Sequence, residues 1–212
     1  MSIVTIRGQM GSGAPEIGEL IAEKLHADYV DREIIARVAE LLKVHSQEVM
    51  DKEMPPGSLL GRIAEALGRS YDGGISNPGV WLPPGEIPLG DIRYLPALEA
   101  IIKELADGEP IVIRGRGSQF ILKDHPGAFH VLAVAPAELR VSRVMETLKL
   151  DEKAAKKEIS SFDSSRRAFV KRYFQADLED PVHYDLVINT GHLTFDAAAS
   201  IIVNSLPFKQ GT

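Results

Sequence analysis

The feature that most constrains this chain is its first twenty-five residues. Ile3-Val4-Thr5-Ile6 is a short apolar strand. A glycine-rich turn follows from Gly8 to Gly18, and Ile17, Leu20, Ile21 and Leu25 then recur at helical spacing. A strand, a glycine-rich turn and a helix in that order form a cradle for an anion. Glycines let backbone N–H groups turn toward it, and the helix N-terminus adds a positive dipole end. The spacing from Gly8 to Gly13 fits the start of G-x-x-x-x-G-K-[ST], and makes Gly8, Gly11, Ser12 and Gly13 the expected phosphate ligands. The pattern then fails: Ala14 stands where the lysine belongs, and Pro15 where a Ser or Thr would ligate Mg2+. Glu16 adds a carboxylate to the first turn, where it satisfies the helix dipole and repels a phosphate. Ala14-Pro15-Glu16 is a good helix start and a poor phosphate site.

Apolar runs of strand length alternate with amphipathic helices along the rest of the chain. Strands are expected at 27–31, 110–114, 129–135 and 185–189. Helices are expected at 32–44, 46–50, 94–107, 137–148, 151–160, 162–174 and 194–206, with Ser46, Asp151 and Thr194 as N-caps. Runs apolar throughout suit strands buried on both faces, and the alternation predicts an α/β fold. It has a parallel sheet of about five strands with helices on either side. Residues 54–91 break the pattern with Pro55-Pro56-Gly57, Gly73-Gly74, Asn77-Pro78-Gly79 and Pro83-Pro84-Gly85, around one helical piece at about 58–69. Trp81 either anchors this segment or contacts a ligand. Composition adds exclusions. A net charge of −6 argues against a general nucleic-acid binder. No apolar run is long enough to span a membrane, and residues 1–7 lack the basic start of a secretory signal. With no cysteine there are no disulfides or thiolate metal sites, and a cytoplasmic location is expected. The six histidines show no metal-binding spacing, so no protein metal site is expected.

Four stretches together resemble the cytidylate-kinase-like family of the P-loop nucleoside-monophosphate kinase fold. They are Gly8–Gly13; Tyr29-Val30-Asp31-Arg32-Glu33-Ile34-Ile35-Ala36-Arg37; Val112-Ile113-Arg114-Gly115-Arg116-Gly117; and Phe162-Asp163 through Arg166, Arg167 and Arg172 to Asp185-Leu186-Val187-Ile188-Asn189-Thr190. They cover one domain over residues 1–212, apart from 54–91, with a basic lid at 160–180. The resemblance implies that Asp31 and Arg37 hold a nucleotide acceptor, with Arg114, Asp163 and Asp185 on the acceptor side. It also implies that Arg116, Arg166 and Arg172 act on the transferred phosphoryl group. The residues themselves leave other readings open. Asp31 suits a helix N-cap, Arg37 a solvated face, and Asp185 a structural carboxylate at a strand start. Arg114 and Arg116 share one side only if strand geometry persists; both suit a phosphate or a salt bridge. Two departures stand out. Gly117 replaces the aspartate of the cytidylate-kinase pattern, and Pro15 replaces even the arginine common in the relaxed loop G-S-G-G-R-E. Arg7, just before the loop, or a lid arginine is the candidate replacement for the missing charge.

The expected activity is transfer of a phosphoryl group from ATP, with Mg2+, to a nucleotide or similar small acceptor. The alternative is a catalytically inactive nucleotide- or anion-binding protein, regulatory or interacting, on the same fold. Residues 54–91 would set acceptor specificity or, through Val80, Trp81 and Leu82, form an oligomer contact such as a homodimer.

Overall fold

The computed structural model describes residues 2–31, 33–51, 91–108 and 110–208. The helical piece at 58–69 and the Val80–Leu82 cluster lie outside them. Five parallel strands form one sheet in the order β2-β3-β1-β4-β5, with β1 Ile3–Gly8, β2 Asp28–Val30, β3 Ile111–Arg114, β4 Ala128–Val134 and β5 Leu186–Asn189. The chain leaves β1 toward β2 and β3 on one side and reaches β4 and β5 on the other. The strand order therefore reverses at β1, where sheets of this kind open a crevice outside the carboxyl ends of the strands.

Side-chain alternation explains why the strands read as unbroken apolar runs. Ile3, Ile111 and Ile113 enter one core with α2 (Glu33–Leu42), α4 (Asp91–Ala106) and α7 (Glu152–Phe174). Val4, Ile6, Val112, Val131 and Ala133 enter the other, with α1 (Ala14–Leu25) and α8 (Phe195–Ser205). Both faces of the central strands are covered, so both sets of alternate residues must be apolar. The exception is informative. On the first face β1 runs Ile3, Thr5, Arg7, turning polar toward its carboxyl end. Thr5 Oγ1 pairs with His130 Nδ1 at 2.8 Å, and Arg7 lies buried at 8% exposure.

Helix boundaries fall close to expectation, and two of the three expected caps form; Ser46 is instead the first residue of its helix, Ser46–Asp51. Asp151 Oδ1 accepts from the Ala154 N–H at 2.7 Å, and Thr194 Oγ1 from the Ala197 N–H at 3.1 Å. One difference bears on the site. The two helices expected at 151–160 and 162–174 are one helix of 23 residues. No glycine or proline lies between them, and the Ser160-Ser161 pair is carried inside the helix; Ser164 and Ser165 hydroxyls donate to carbonyls one turn back. Two further helices complete the order used below, α3 (Ser46–Asp51) and the short α5 (Ser118–Ile121); α6 is Ala137–Leu148. Among the described residues no helix is long and apolar enough to cross a membrane.

Candidate functional site

The glycine turn folds as the sequence requires. Gly11 and Gly13 take φ of +80° and +85°, conformations open to glycine. A Cβ on Gly13 would lie 2.1 Å from the Phe195 ring, and one on Gly11 would lie 2.7 Å from the Arg140 carbonyl oxygen. Both glycines are therefore fixed by packing as well as by backbone conformation. Pro15 falls in the first turn of α1, whose N–H groups have no intrahelical acceptor, so it removes one potential phosphate donor.

Much of the loop's hydrogen-bonding capacity is spent inside the protein. The Met10 N–H donates to Asp163 Oδ1 at 3.0 Å, and Asp163 is ion-paired with Arg140, both buried. Arg140 Nε donates to the Met10 carbonyl at 2.9 Å, and Arg143 Nη1 to the Gly11 carbonyl at 3.1 Å. Thr190 Oγ1 donates to the Ser12 carbonyl at 2.8 Å, and Arg143 also donates to the Thr190 carbonyl at 3.0 Å. The Arg143 guanidinium lies 4.9 Å from the centre of the Phe195 ring, the same ring that covers Gly13. α6, α7 and the turn after β5 thus brace the loop from outside. Sequence reasoning assigned no role to Arg140 or Arg143. The signal was faint: two arginines three apart on a helix whose buried residues include Val144.

The positive charge is concentrated beside the loop, at the carboxyl ends of β1 and β3. Arg7, Gly8, Asp31, Arg114, Arg116, Gln119 and Arg166 are among the residues that line a small cavity of about 50 Å³ there. Arg114 pairs tightly with Asp31, and Arg116 Nη2 stands 3.6 Å from the other carboxylate oxygen. The two arginines converge, but not because the strand continues. β3 ends at Arg114, and Gly115, Arg116 and Gly117 all turn left-handed, at φ of +71°, +60° and +71°. A non-glycine residue there is strained, so the turn, not the sheet, aims Arg116 back at Asp31. Gly117 answers the missing aspartate: a Cβ on it would lie 2.3 Å from the Phe174 ring, which stacks on Phe120 at 5.0 Å.

Arg166 enters the cleft from α7 on the face it shares with Phe162, Phe169 and Val170, its guanidinium 5.1 Å from the centre of the Phe162 ring. Arg172 is six residues further on, about 240° around the helix. It is exposed and lies against Tyr173. Arg167 pairs with Glu179 at the surface, 3.4 Å away. Arg37 is exposed on α2 and does not line the cavity. Asp163 belongs to the loop, as above. Asp185 lies at the entrance to β5, where its carboxylate accepts from the His130 N–H at 2.8 Å. Of the residues singled out in sequence, the structure brings Arg7, Gly8, Asp31, Arg114, Arg116 and Arg166 into one cleft.

The electrostatics of that cleft are lopsided. Its described lining carries four guanidiniums and one carboxylate. Burial alone would raise the Asp31 carboxyl, but Arg114 and then Arg116 outweigh it and hold it below the usual carboxylate range. Burial, with Arg166 alongside, pushes Arg7 down to about 10, and burial with Arg114 alongside does the same to Arg166. Both stay cationic at neutral pH. An excess of arginine in a cleft, with Arg7 and Arg116 buried and Arg114 and Arg166 half-buried, suits a phosphate. A larger hollow of about 780 Å³ opens on the other side of Gln119, but its Lys123 and Asp185 are exposed and no buried charges meet there. Among the described residues no three metal-ligating side chains converge.

The architecture recurs in one solved structure in particular. An uncharacterized protein from Eubacterium ventriosum superposes with a TM-score of 0.68 at 20% identity, covering 98% of this chain and 99% of that one. A shikimate kinase from Acinetobacter baumannii, in complex with shikimate, gives a TM-score of 0.48 at 14% identity, covering 99% and 95%. A segment of 109 residues, 51% of this chain, is 31% identical to a uronate isomerase of Corynebacterium glutamicum; it spans only 21% of that relative, about a fifth of its length. A profile of the cytidylate kinase-like family matches residues 3–192, nearly the whole chain, and the chain belongs to that family.

Proposed function

We propose that this protein is a phosphotransferase of the P-loop kinase type, which moves a phosphoryl group from ATP to a nucleotide or similar phosphorylated small acceptor. The observation that carries the reading is that Arg7, Arg114, Arg116 and Arg166 line one cleft beside the glycine loop, where Asp31 pairs with Arg114 and Arg116. Phosphoryl transfer asks little covalent chemistry of a protein; it asks for positioning and for positive charge around the transferred group. Gly11, Ser12 and Gly13 would hold the donor. Arg114 and Arg116, oriented by Asp31, would hold the acceptor phosphate, and Arg166 would face the transfer from α7. An acceptor oxygen forms the new P–O bond as the bond from the γ-phosphorus to the bridging oxygen breaks, and ADP leaves. A phosphate acceptor is mostly ionised at neutral pH, its second pKa being about 6, so no general base is required. The loop does not fit a protein-held Mg2+: Pro15 has no hydroxyl to offer.

A second reading, a nucleotide- or anion-binding protein without turnover, is favoured by the loop itself. Ala14 brings no charge, and the Asp163 carboxylate occupies the Met10 N–H. Both readings include a cytoplasmic protein acting on small molecules. Calorimetry with ATP–Mg2+ and with CMP at low salt separates them, followed by transfer assays over nucleotide acceptors. Binding of both with turnover supports the first. CMP binding without ATP binding supports a sensor that uses only the arginine cleft. No heat with either, and an unchanged melting temperature, would sink both.

A further inference from the structure

We propose that Arg7 supplies, from the end of β1, the positive charge that the glycine loop lacks at Ala14, and that its guanidinium contacts the terminal phosphoryl group of the donor. The inference rests on the phosphotransferase reading above and names the cation that makes it workable.

A loop of this type needs a cation at the junction of donor and acceptor, where charge develops during transfer. Ala14 is buried at 2% exposure, and the two positions after it are Pro15 and Glu16. Among the described residues, the arginines that hydrogen-bond to the loop, Arg140 and Arg143, are already committed to its carbonyls and their neighbours. Arg140 is held by the Met10 carbonyl and the Asp163 carboxylate, and Arg143 by the Gly11 carbonyl, the Thr190 carbonyl and the Thr190 hydroxyl. They neutralise the loop's own acceptors.

Arg7 differs in three respects. It directly precedes Gly8, and both line the arginine cleft, so it stands where loop and cleft meet. Its charge is felt on both sides: by Asp163, whose carboxylate touches the loop, and by Arg166 and Arg114, which line the cleft. Its Nε is buried and donates no hydrogen bond among the described residues. Placing a guanidinium at 8% exposure among other arginines is costly unless an anion arrives to satisfy it. An apolar residue on that face of β1 would pack without the cost, as Ile3 does on the same face. A ligand phosphate removes the penalty and gives the position its chemistry.

The test compares ATP and ADP binding by calorimetry, at equal Mg2+, in the wild type, Arg7→Met, Arg7→Lys and the double variant Arg7→Met/Ala14→Lys. A cation on the terminal phosphoryl group distinguishes the two nucleotides. The expected result is that Arg7→Met lowers ATP affinity about tenfold, the size of a lost charge-assisted contact, and leaves ADP affinity within about twofold. Arg7→Lys keeps most of the preference, and Ala14→Lys restores it by putting an ammonium back at the usual loop position. Transfer, measured in parallel, falls on the order of 10²–10³ in Arg7→Met. An ATP-to-ADP preference unchanged in folded Arg7→Met overturns the assignment while leaving the phosphotransferase reading intact. A wild type that binds neither nucleotide overturns both. Should Arg7→Met fail to fold, the assignment is decided by Arg7→Lys and by Arg7→Lys/Ala14→Lys; a second cation that raises ATP preference more than tenfold above wild type shows that Arg7 was not serving the loop.

Discussion

Gly117→Ala tests how tightly the arginine turn is held. The added Cβ would lie 2.3 Å and 2.5 Å from two carbons of the Phe174 ring. That ring cannot simply swing away: it stacks on Phe120 at 5.0 Å and lies 6.1 Å from Phe169. Two costs therefore add. Holding alanine at a φ of +71° costs about 1–2 kcal/mol. Forcing a methyl group into a filled aromatic cluster costs about 1–3 kcal/mol. The sum, about 2–5 kcal/mol, is a large part of the ~5–15 kcal/mol that stabilises a typical fold. At about 2–4 °C per kcal/mol for a chain of this size, the melting temperature should fall by roughly 4–20 °C. Urea denaturation gives the free energy directly, with an unchanged slope. Adding Phe174→Leu should recover the packing share and leave the backbone share. A Gly117→Ala variant that melts within about 1 °C of wild type would refute the reasoning. The same geometry excludes the aspartate of the cytidylate-kinase pattern at this position.

Other outcomes follow from the same contacts. Asp163→Asn leaves the buried Arg140 without its counter-ion, and stability in urea should fall by about 3–5 kcal/mol; a loss below 1 kcal/mol would show that the pair does not brace the loop. Asp31 has a folded pKa below its unfolded value of about 3.9, so its stabilisation is fully present above that pH and is lost as pH falls through the lower folded value. Asp31→Asn should accordingly flatten the acid end of the stability curve while lowering the neutral plateau; an acid limb with the wild-type slope would count against the Arg114 pairing. Phosphomonoester affinity should rise from pH 5 to 7 as the ligand gains its second charge at about 6. It should then hold until Arg7 and Arg166 begin to lose protons near 10, and a flat calorimetric profile over pH 5–7 would indicate that the cleft does not bind the dianion.

Local pattern made much of the architecture legible. The three central strands β1, β3 and β4 were readable because a strand buried on both faces must be apolar at consecutive positions, as in Ile111-Val112-Ile113; the edge strand β2, Asp28–Val30, carries no such run. The helix caps Asp151 and Thr194 were legible because capping is settled within three residues. The glycine loop and its defect at Ala14-Pro15 were equally plain, being contiguous in the chain. Spacing could not decide which arginines meet. Arg166 faces the cleft and Arg172 does not, and that depended on how one long helix is rotated against the sheet. Arg114 and Arg116 converge through a left-handed turn, where strand alternation offered the wrong reason for the right pairing.

The sequence by itself determined the fold class, the position of the loop and the absence of its lysine, because each of these is encoded in neighbours along the chain. Only the tertiary structure decided where the charge went. Residues far apart in sequence bind the loop's amide and carbonyl groups: Asp163 lies 153 positions from Met10, and Thr190 lies 178 from Ser12. Arg7, Arg114 and Arg166 come together only when β1, β3 and α7 pack, because electrostatic neighbourhood is a property of distance in space and no local pattern carries it.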